Sequence, residues 1–310
     1  MEDEKIRHKF STALNQFVEH IKSDSSILAV FVLGSYSNGI LWEKSDIDMV
    51  IITNEEKVQQ DLIVINQNEV QINAYCISRG EYRRSQQRFL AGSMMHHMLS
   101  TSKLIYSIDR GISDFNRDMF FVSEHDKELQ IMVISEFLVG TLHKLKKTLF
   151  IEESLEKSHS WLISAVGNIA TILILNEHQI PGRDVITQAL EVSENQILRL
   201  IIDHVFKQGY SKSNLEYSID LIESFLKENY SVFYKPLIQY LTESIGERTH
   251  SEVDQHFRKA TNYPNFTLVE SIIWLTDQGI LMTGVKPKRI TARSRITVDE
   301  VTVYYLGGKE

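Results

Sequence analysis

The sequence predicts an α+β fold in three parts: a small mixed-sheet domain over residues 1–125, an all-α helical bundle over 126–248, and a small helix-and-hairpin module over 249–310. Short apolar runs with a two-residue alternation dominate the first part, and this pattern is typical of strands. From Asp126 the apolar positions recur with a period near 3.6, which is typical of helices. The third part has two helical segments followed by two strand-like runs.

The composition limits the class of protein. The 310-residue chain is 43% hydrophobic and 24% charged, which is ordinary for a soluble globular protein. Its formal net charge of -8 argues against nucleic-acid binding by the whole surface. The single cysteine, Cys76, allows no intrachain disulfide and favours a reducing compartment. The charged amino terminus is unlike a signal peptide, and the most apolar segment, residues 161–175, is too short to span a bilayer. We therefore expect a cytoplasmic protein that does not bind membranes, and its oligomeric state stays open.

Two aspartates at the start of the second predicted strand indicate a cation site. Because strand side chains alternate between faces, Asp46 and Asp48 project together, opposite Ile47 and Met49. The two carboxylates repel each other unless a cation lies between them. Mg²⁺ suits such a pair, because it takes one or two protein carboxylates and completes its shell with water and phosphate.

A Gly-Ser turn precedes the aspartates and offers a place for phosphate. A helix predicted over residues 4–23 leads into a strand over 27–33, and Gly34 and Ser35 then open a short helical turn. Backbone N–H groups at a helix start favour anions, and the Ser35 hydroxyl adds a donor. A phosphate cradle and a metal-holding pair thus lie within one short stretch, which indicates chemistry on a nucleoside triphosphate.

Gly34, Ser35, Asp46 and Asp48, with their spacing and apolar flanks, resemble the motif of the DNA polymerase beta-like nucleotidyltransferase superfamily. The resemblance implies a Mg²⁺-dependent enzyme in which the aspartates hold the metal and the Gly-Ser turn holds the triphosphate. It also implies in-line attack of an acceptor on the alpha phosphorus of the nucleotide, with release of pyrophosphate. ATP is the expected nucleotide, and the acceptor is unidentified.

Members of this superfamily commonly carry a third carboxylate on a neighbouring strand. Further strands are predicted around residues 62–65 and 70–77. The start of the second one resembles the corresponding segment of kanamycin-type nucleotidyltransferases, and there Gln71 falls where the acid is expected. Gln71 is therefore the predicted third metal ligand, with Glu69, assigned to the same face, as the alternative. A site in which the two aspartates hold Mg²⁺ through the triphosphate is the remaining option.

Basic and histidine side chains follow in a predicted helix over residues 79–99. Four arginines either place positive charge close to the phosphate site or form a solvated helix face: Arg79, Arg83, Arg84 and Arg88. His96 and His97 are adjacent, so on a helix they point about 100° apart and do not ligate one metal together. We interpret these histidines as structural. An edge strand over residues 104–106 then completes the sheet.

The predicted bundle resembles the helical domain that follows the catalytic domain in antibiotic nucleotidyltransferases and in HEPN-type proteins. In those enzymes a carboxylate of the helical domain often acts as general base, and Glu136 is the candidate here, with a surface glutamate as the alternative. Lys144 and Lys147 are candidate phosphate ligands, although cations near a helix end also simply complement its dipole. The cleft between the two domains is the expected acceptor pocket.

The carboxy-terminal module resembles the end of a winged-helix domain. It has predicted helices at residues 251–259 and 268–277 and strands at 280–285 and 297–306. Between residues 281 and 298 it carries cations and no acid: Lys286, Lys288, Arg289, Arg293 and Arg295. A basic wing that contacts nucleic-acid phosphate is one interpretation. A small module docked on the bundle, or a dimerisation element, is the favoured one.

The sequence therefore predicts a nucleotidyltransferase that moves a nucleoside monophosphate to a hydroxyl of a small, antibiotic-like molecule. The fusion of a catalytic domain to a helical bundle in one chain favours this interpretation. One alternative is nucleotidylation of a protein or RNA, as by the minimal nucleotidyltransferases of toxin–antitoxin pairs. Another is a nucleotide-sensing, DNA-binding regulator with a silent catalytic domain, which a Gln at position 71 supports.

Overall fold

The chain folds into two compact units, Met1–Phe121 and Val122–Glu310. The first is a mixed sheet with helices, and the second is helical with a small sheet, which confirms the predicted α+β class. This computed structural model describes residues 2–39, 41–58, 62–87, 102–118, 123–182, 184–207, 209, 211–244, 246–305 and 307.

The amino-terminal unit is built on a five-stranded mixed sheet. Its helices are α1 (Glu2–Ile21), α2 (Gly34–Asn38), α3 (Arg79–Gln87) and α4 (Arg110–Asp118). Its strands are β1 (Ile27–Leu33), β2 (Ile47–Thr53), β3 (Leu62–Gln67), β4 (Val70–Ser78) and β5 (Lys103–Ser107), in the spatial order β3-β4-β2-β1-β5. Strands β2 and β4 run parallel, and the other neighbouring pairs run antiparallel. Strand β2 is therefore central, and β5 is the edge strand that the sequence predicts.

Alternation along β2 divides its side chains between two buried clusters. Ile47 and Met49 are fully buried and pack with the apolar face of α1. Val50 and Ile52 point to the opposite side of the sheet, where they pack with Tyr82 of α3. Asp48 lies two residues before Val50, so its side chain is on the same face of the sheet as that of Val50, at the beginning of the strand. The predicted separation of the aspartates from Ile47 and Met49 is confirmed.

The carboxy-terminal unit follows the predicted helical periodicity. Its helices are α5 (Glu124–Phe150), α6 (Leu155–Asn176), α7 (Val185–Val192), α8 (Ile197–Ile201), α9 (Lys212–Phe233), α10 (Lys235–Glu243), α11 (His250–Ala260) and α12 (Val269–Asp277). A π-helical turn, Ile202–Lys207, continues α8. A second sheet contains β6 (Arg248–Thr249), β7 (Met282–Arg289) and β8 (Thr297–Tyr304) in the order β6-β8-β7. Helix α4 and strand β6 are not among the elements that the sequence predicts.

Side-chain caps fix where many of these helices begin. The cap residues with an oxygen that accepts a backbone N–H of the first turn are Ser123, Ser154, Asp184, Ser211 and Thr249. Each such cap contributes about 1 kcal/mol of stability. Helix α12 differs, because its cap residue is Leu268, which has no side-chain acceptor.

Helix α6 has the length and composition of a membrane span but the burial of a core helix. The mean hydropathy of its most apolar window is 1.4, and 56% of that window is buried inside the fold. Leu162, Val166 and Ile169 are fully buried, and the helix packs along α5. It extends over 22 residues and is longer than the predicted apolar segment at 161–175. Such burial is typical of a helix at the centre of a globular domain.

The carboxy-terminal module belongs to the same compact unit as the bundle. Helix α12 packs against α5, and the Ser271 hydroxyl donates a hydrogen bond to the hydroxyl of Tyr234, 3.1 Å away. Burial raises the pKa of Tyr234, so its phenol stays neutral. The predicted boundary at residues 248/249 therefore does not separate two compact units. The predicted boundary at 125/126 lies close to the observed division after Phe121.

Candidate active site

Gly34 and the two aspartates meet at one end of β1 and β2. Asp48 on β2 pairs with Leu33, the last residue of β1, and the chain then turns into α2. A β-carbon on Gly34 would lie only 3.0 Å from Oδ2 of Asp48. The φ angle of Gly34 is +66°, a conformation that other residues rarely adopt. The turn therefore requires glycine for both space and backbone geometry.

Asn73 on β4 bridges the two carboxylates. Parallel pairing places it opposite Asp48. Its Nδ2 atom donates to Oδ2 of Asp46 at 2.7 Å and to Oδ1 of Asp48 at 3.1 Å. Gln71, two residues earlier on the same face, donates from Nε2 to Oδ1 of Asn73 at 3.0 Å. The Asn73 amide is thus hydrogen-bonded through both its nitrogen and its oxygen.

This register corrects the predicted third ligand. Asn73, and not Gln71, occupies the position opposite Asp48, while Gln71 is exposed and contacts Asn73 instead of the carboxylates. Glu69, the alternative, lies in the turn between β3 and β4 with φ of 59°, and its carboxylate pairs with Lys9 at 3.3 Å. Throughout the described ranges, no group of three His, Cys, Asp or Glu side chains is arranged to hold a metal.

The donor set fits a hard divalent cation that is held together with phosphate. The carboxylates of Asp46 and Asp48 reach the same amide nitrogen, so their oxygens converge on one region. Mg²⁺ accepts such a pair when water and substrate phosphate supply its other ligands. The oxygen of Asn73 faces Gln71, so the side chains that would hold the ion are the two aspartates.

The Gly34–Ser35 turn provides hydrogen-bond donors next to the aspartates. Leu33, the cap residue of α2, makes no side-chain cap hydrogen bond, and Ser35 is exposed. Ser37 is committed to the turn itself, because its hydroxyl donates to the carbonyl oxygen of Gly34 at 2.9 Å. Backbone N–H groups and the Ser35 hydroxyl are therefore the donors that this turn offers to an anion.

Glu136 has a structural role in place of the predicted catalytic one. Its Oε1 and Oε2 atoms accept the backbone N–H groups of Glu270 at 3.1 Å and Ser271 at 2.8 Å, in the first turn of α12. The carboxylate thereby provides the cap that Leu268 lacks. Burial raises the pKa of Glu136, against the lowering effect of these hydrogen bonds. Because both oxygens are engaged and the side chain is buried, the assignment as general base is withdrawn.

The two predicted lysines of α5 have partners within their own unit. The ammonium of Lys144 lies 4.6 Å from the ring centroid of Trp161, a cation–π contact. Lys147 pairs with Glu152 at 3.9 Å. Lys144 and Glu136 line the same groove, of about 310 Å³, whereas Lys147 does not. Their predicted role in phosphate binding stays a prediction.

The predicted arginine cluster contains one clearly structural member. Arg79 pairs with Asp109, whose carboxylate also accepts the backbone N–H groups of Gly111 and Ile112 at the start of α4. The hydrogen bond from Arg79 lowers the pKa of Asp109. Arg83 and Arg84 are exposed on α3, and Arg88, His96 and His97 lie outside the described residues.

Comparison with known proteins agrees with this geometry. Residues 15–111 match the family model described as Polymerase beta, Nucleotidyltransferase. The matched region contains Gly34, Ser35, Asp46, Asp48 and Asn73, so the similarity to this family includes the whole candidate site. No curated protein sequence matches the chain.

A solved structure shares the fold over nearly the whole chain. It is a nucleotidyltransferase-like protein from Exiguobacterium sibiricum 255-15, with a TM-score of 0.67 and 13% sequence identity. The match covers 95% of this chain and 99% of that one, so the similarity includes the helical unit as well as the sheet domain.

Asn73 lies within the strand predicted over residues 70–77, but the sequence does not single it out as the residue opposite Asp48. The alternation of the strand reveals the face but not which residue stands opposite Asp48. That position depends on the pairing of β2 with β4, which are separated by β3 in the chain.

Replacing Gly34 with alanine should disturb the aspartates, and Gly39→Ala provides a matched control. Both glycines have positive φ angles, so each variant should lose about 1–2 kcal/mol of stability through backbone strain. Only the new β-carbon at position 34 meets Asp48, because nothing lies within 4 Å of the one at position 39. We expect Mn²⁺–nucleotide binding, measured by calorimetry, to weaken in Gly34→Ala alone. Equal losses in both variants would contradict this account.

Replacing Glu136 with glutamine should destabilise the fold, because one N–H group of α12 would face an amide donor in place of an acceptor. We expect a loss of about 1–3 kcal/mol in chemical unfolding, with Glu191→Gln, an exposed glutamate on α7, as the control. Because the folded-state pKa of Glu136 is raised, its contribution to stability falls as pH rises from the unfolded-state pKa through the folded-state one. That pH dependence should disappear in the variant. An unchanged unfolding curve would restore Glu136 as a candidate base.

Proposed function

We propose that this chain is a divalent-cation-dependent nucleotidyltransferase that moves a nucleoside monophosphate from a nucleoside triphosphate, with ATP expected, to a hydroxyl acceptor. The observation that carries the proposal is the convergence of Asp46 and Asp48 on one point beside the Gly34–Ser35 turn. The polymerase beta family match over the same residues supports the reaction class.

In this proposal each residue has a defined task. Asp46 and Asp48 would hold Mg²⁺, which supplies positive charge against the charge that develops on the phosphoryl oxygens. Gly34 leaves room beside Asp48, and Ser35 with the backbone N–H groups of α2 would bind the outer phosphates. The acceptor oxygen forms a bond to the alpha phosphorus, pyrophosphate leaves, and the hydroxyl proton passes to solvent. No residue is assigned as general base, because Glu136 caps α12.

A small, antibiotic-like molecule remains the proposed acceptor. The support for it is the fusion of the nucleotidyltransferase domain to a helical unit in one chain. Nucleotidylation of a protein or RNA is the alternative within the same reaction class. Either acceptor would leave the roles of Asp46 and Asp48 unchanged.

A nucleotide-sensing regulator is the second candidate function. The specific observation in its favour is that Asn73, opposite Asp48, is a neutral amide, whereas the resemblance to the superfamily implies a third carboxylate on this strand. A domain of this kind would bind the nucleotide and the cation but would transfer the nucleoside monophosphate slowly or not at all. The intact pair of aspartates favours the enzyme.

Replacing Asp48 with asparagine should reduce transfer from radiolabelled ATP by about 100-fold or more, because a carboxylate that neutralises transition-state charge is lost. The fold should persist, since the half-buried Asp48 is not part of the apolar core. Transfer is measured as label incorporated into an acceptor, over a panel of aminoglycosides, lincosamides, lysate proteins and RNA.

Glu55→Gln is a suitable control for this experiment, because Glu55 is exposed in the turn beyond the opposite end of β2. It should retain full transfer. Full transfer by Asp48→Asn would refute the proposed site. Nucleotide binding without transfer by the native protein would favour the sensor.

A further inference from the structure

The hydrogen bonds of Asn73 hold its amide nitrogen between the two aspartates. Both hydrogens on Nδ2 of Asn73 are used, one by Asp46 and one by Asp48. The bond from Gln71 to Oδ1 fixes which end of the amide faces the carboxylates. The repulsion between the two negative charges is thus reduced by a neutral donor that the protein itself supplies.

A cation and this amide compete for the same carboxylate oxygens. The NH₂ group of an amide is a donor and cannot ligate a cation, so an ion that binds Asp46 and Asp48 must displace it. The protein then supplies only two carboxylates in return, since no third acidic or histidine ligand is present among the described residues. The triphosphate oxygens of a nucleotide are the ligands that complete the shell.

We propose that Asn73, positioned by Gln71, makes divalent-cation binding conditional on the nucleotide. The cation alone binds weakly, because it must displace the amide and gains few ligands. The cation and the triphosphate together bind well, because phosphate oxygens replace what the amide provided. Asn73 is a positioning residue in this scheme, which rests on the proposed function of the site.

The test is a titration with Mn²⁺, in the presence and absence of α,β-methylene-ATP, which cannot transfer its nucleotide. Electron paramagnetic resonance reports free Mn²⁺ and calorimetry reports the analogue. In the native protein the analogue should tighten Mn²⁺ binding by about tenfold or more. Asn73→Asp should bind Mn²⁺ alone about tenfold more tightly than the native protein does, and should be stabilised to heat by Mn²⁺ without nucleotide.

Asn54→Asp is the matched control, because it adds the same charge in the exposed turn after the far end of β2. It should leave Mn²⁺ binding unchanged. Asn73→Ala and Gln71→Ala remove the donor or its support without adding charge, and both should weaken the coupling between Mn²⁺ and analogue. These variants decide the question if Asn73→Asp does not fold.

Three outcomes would overturn the coupling. One is equal Mn²⁺ affinity with and without bound analogue, and the second is equal Mn²⁺ binding by Asn73→Asp and Asn54→Asp. The third is unchanged coupling in Asn73→Ala. Failure of the analogue to bind the native protein at all would overturn the proposed function, and the coupling with it.

A separate observation concerns the hairpin formed by β7 and β8. The strands pair from Met282 with Tyr304 to Arg289 with Thr297, and the outer part of the hairpin is exposed on both faces. The base of the hairpin is anchored, because β8 also pairs with β6 and Val303 is fully buried. The module packs on the bundle as one compact unit, and the outer part of the hairpin is the surface that it leaves exposed.

Among the described residues of the hairpin, the unpaired charges are four cations and one acid, the exposed Asp299, so the surface is basic overall. Lys288 pairs with Glu300 at 2.6 Å. Burial opposes ionisation of Glu300, but hydrogen bonds from Lys288 and Ser251 lower its pKa to about 2, so this pair is neutral overall. The remaining cations are exposed and have no ion-pair partner in the described part of the chain: Lys286, Arg289, Arg293 and Arg295.

The ligand that matches this excess of exposed cations is a polyanion. Between residues 284 and 302 the hairpin has no aromatic side chain on which unpaired bases would stack, which favours a duplex over a single strand. Helix α12 bears Glu270 and Asp277 and no cation, so it supplies no basic contacts to base edges. Contacts from the hairpin would therefore reach phosphate without reading sequence.

We infer that the β7–β8 hairpin binds the phosphate backbone of duplex DNA. Anisotropy of a labelled duplex measured over a salt series with the full chain tests this. Four phosphate contacts predict a slope of log affinity against log salt of about -3 to -4. Neutralising the four unpaired cations to glutamine should abolish measurable binding. The double variant Lys288→Gln/Glu300→Gln, which removes a neutral pair, should bind as the native protein does.

Binding that does not depend on salt, or that survives in the fourfold variant, would overturn this inference. Equal binding of polyglutamate would show a general anion surface and would overturn the assignment to DNA. Binding of duplex RNA or of single strands more tightly than duplex DNA would also overturn the assignment to duplex DNA. A variant with glutamine at three other exposed lysines of the carboxy-terminal unit, Lys212, Lys227 and Lys259, controls for a loss of positive charge elsewhere, and it should bind nearly as the native protein does.

Discussion

The pairing of β2 with one antiparallel and one parallel neighbour is the constraint on which the amino-terminal site depends. Strand β1 ends opposite Asp48, so that Gly34 follows directly beside it. Strand β4, the neighbour on the other edge of β2, places Asn73 opposite the same residue. The apolar partners of β2 hold this register, because Ile47 and Met49 are fully buried on the opposite side. A slip of one residue would exchange Asp48 with these side chains, which the core would not tolerate.

In the carboxy-terminal unit, Glu136 has the features of a catalytic residue but stabilises the fold. Glu136 is buried and its pKa is raised, features that are common among catalytic acids and bases. Its two oxygens nevertheless bond to the start of α12, where Leu268 offers no cap. The cost of burying this carboxylate is offset by two backbone N–H groups and the positive end of a helix. A raised pKa alone therefore does not identify a catalytic group in this chain.

Local patterns in the sequence predict most of the helices and strands and the central motif, but not helix α4 or the two-residue strand β6. The alternation around Asp46 and Asp48 and the turn at Gly34 are properties of adjacent residues, and the structure brings these residues together. The partner of Glu136 lies 134 residues away, and no local pattern connects the two. The role of Asn73 could not be predicted for the same reason, because β2 and β4 are paired in space but separated by β3 in the chain.

The cap between Glu136 and α12 also determines where this chain can be divided. A fragment that ended near residue 248 would retain α5 but lose Glu270 and Ser271, leaving a buried carboxylate without its donors. Tyr234 would lose its hydroxyl partner, and the apolar side of α5 that α12 covers would be open to water. The carboxy-terminal helices thus stabilise the bundle. A related chain that replaced these helices with another module would also need a different residue at position 136.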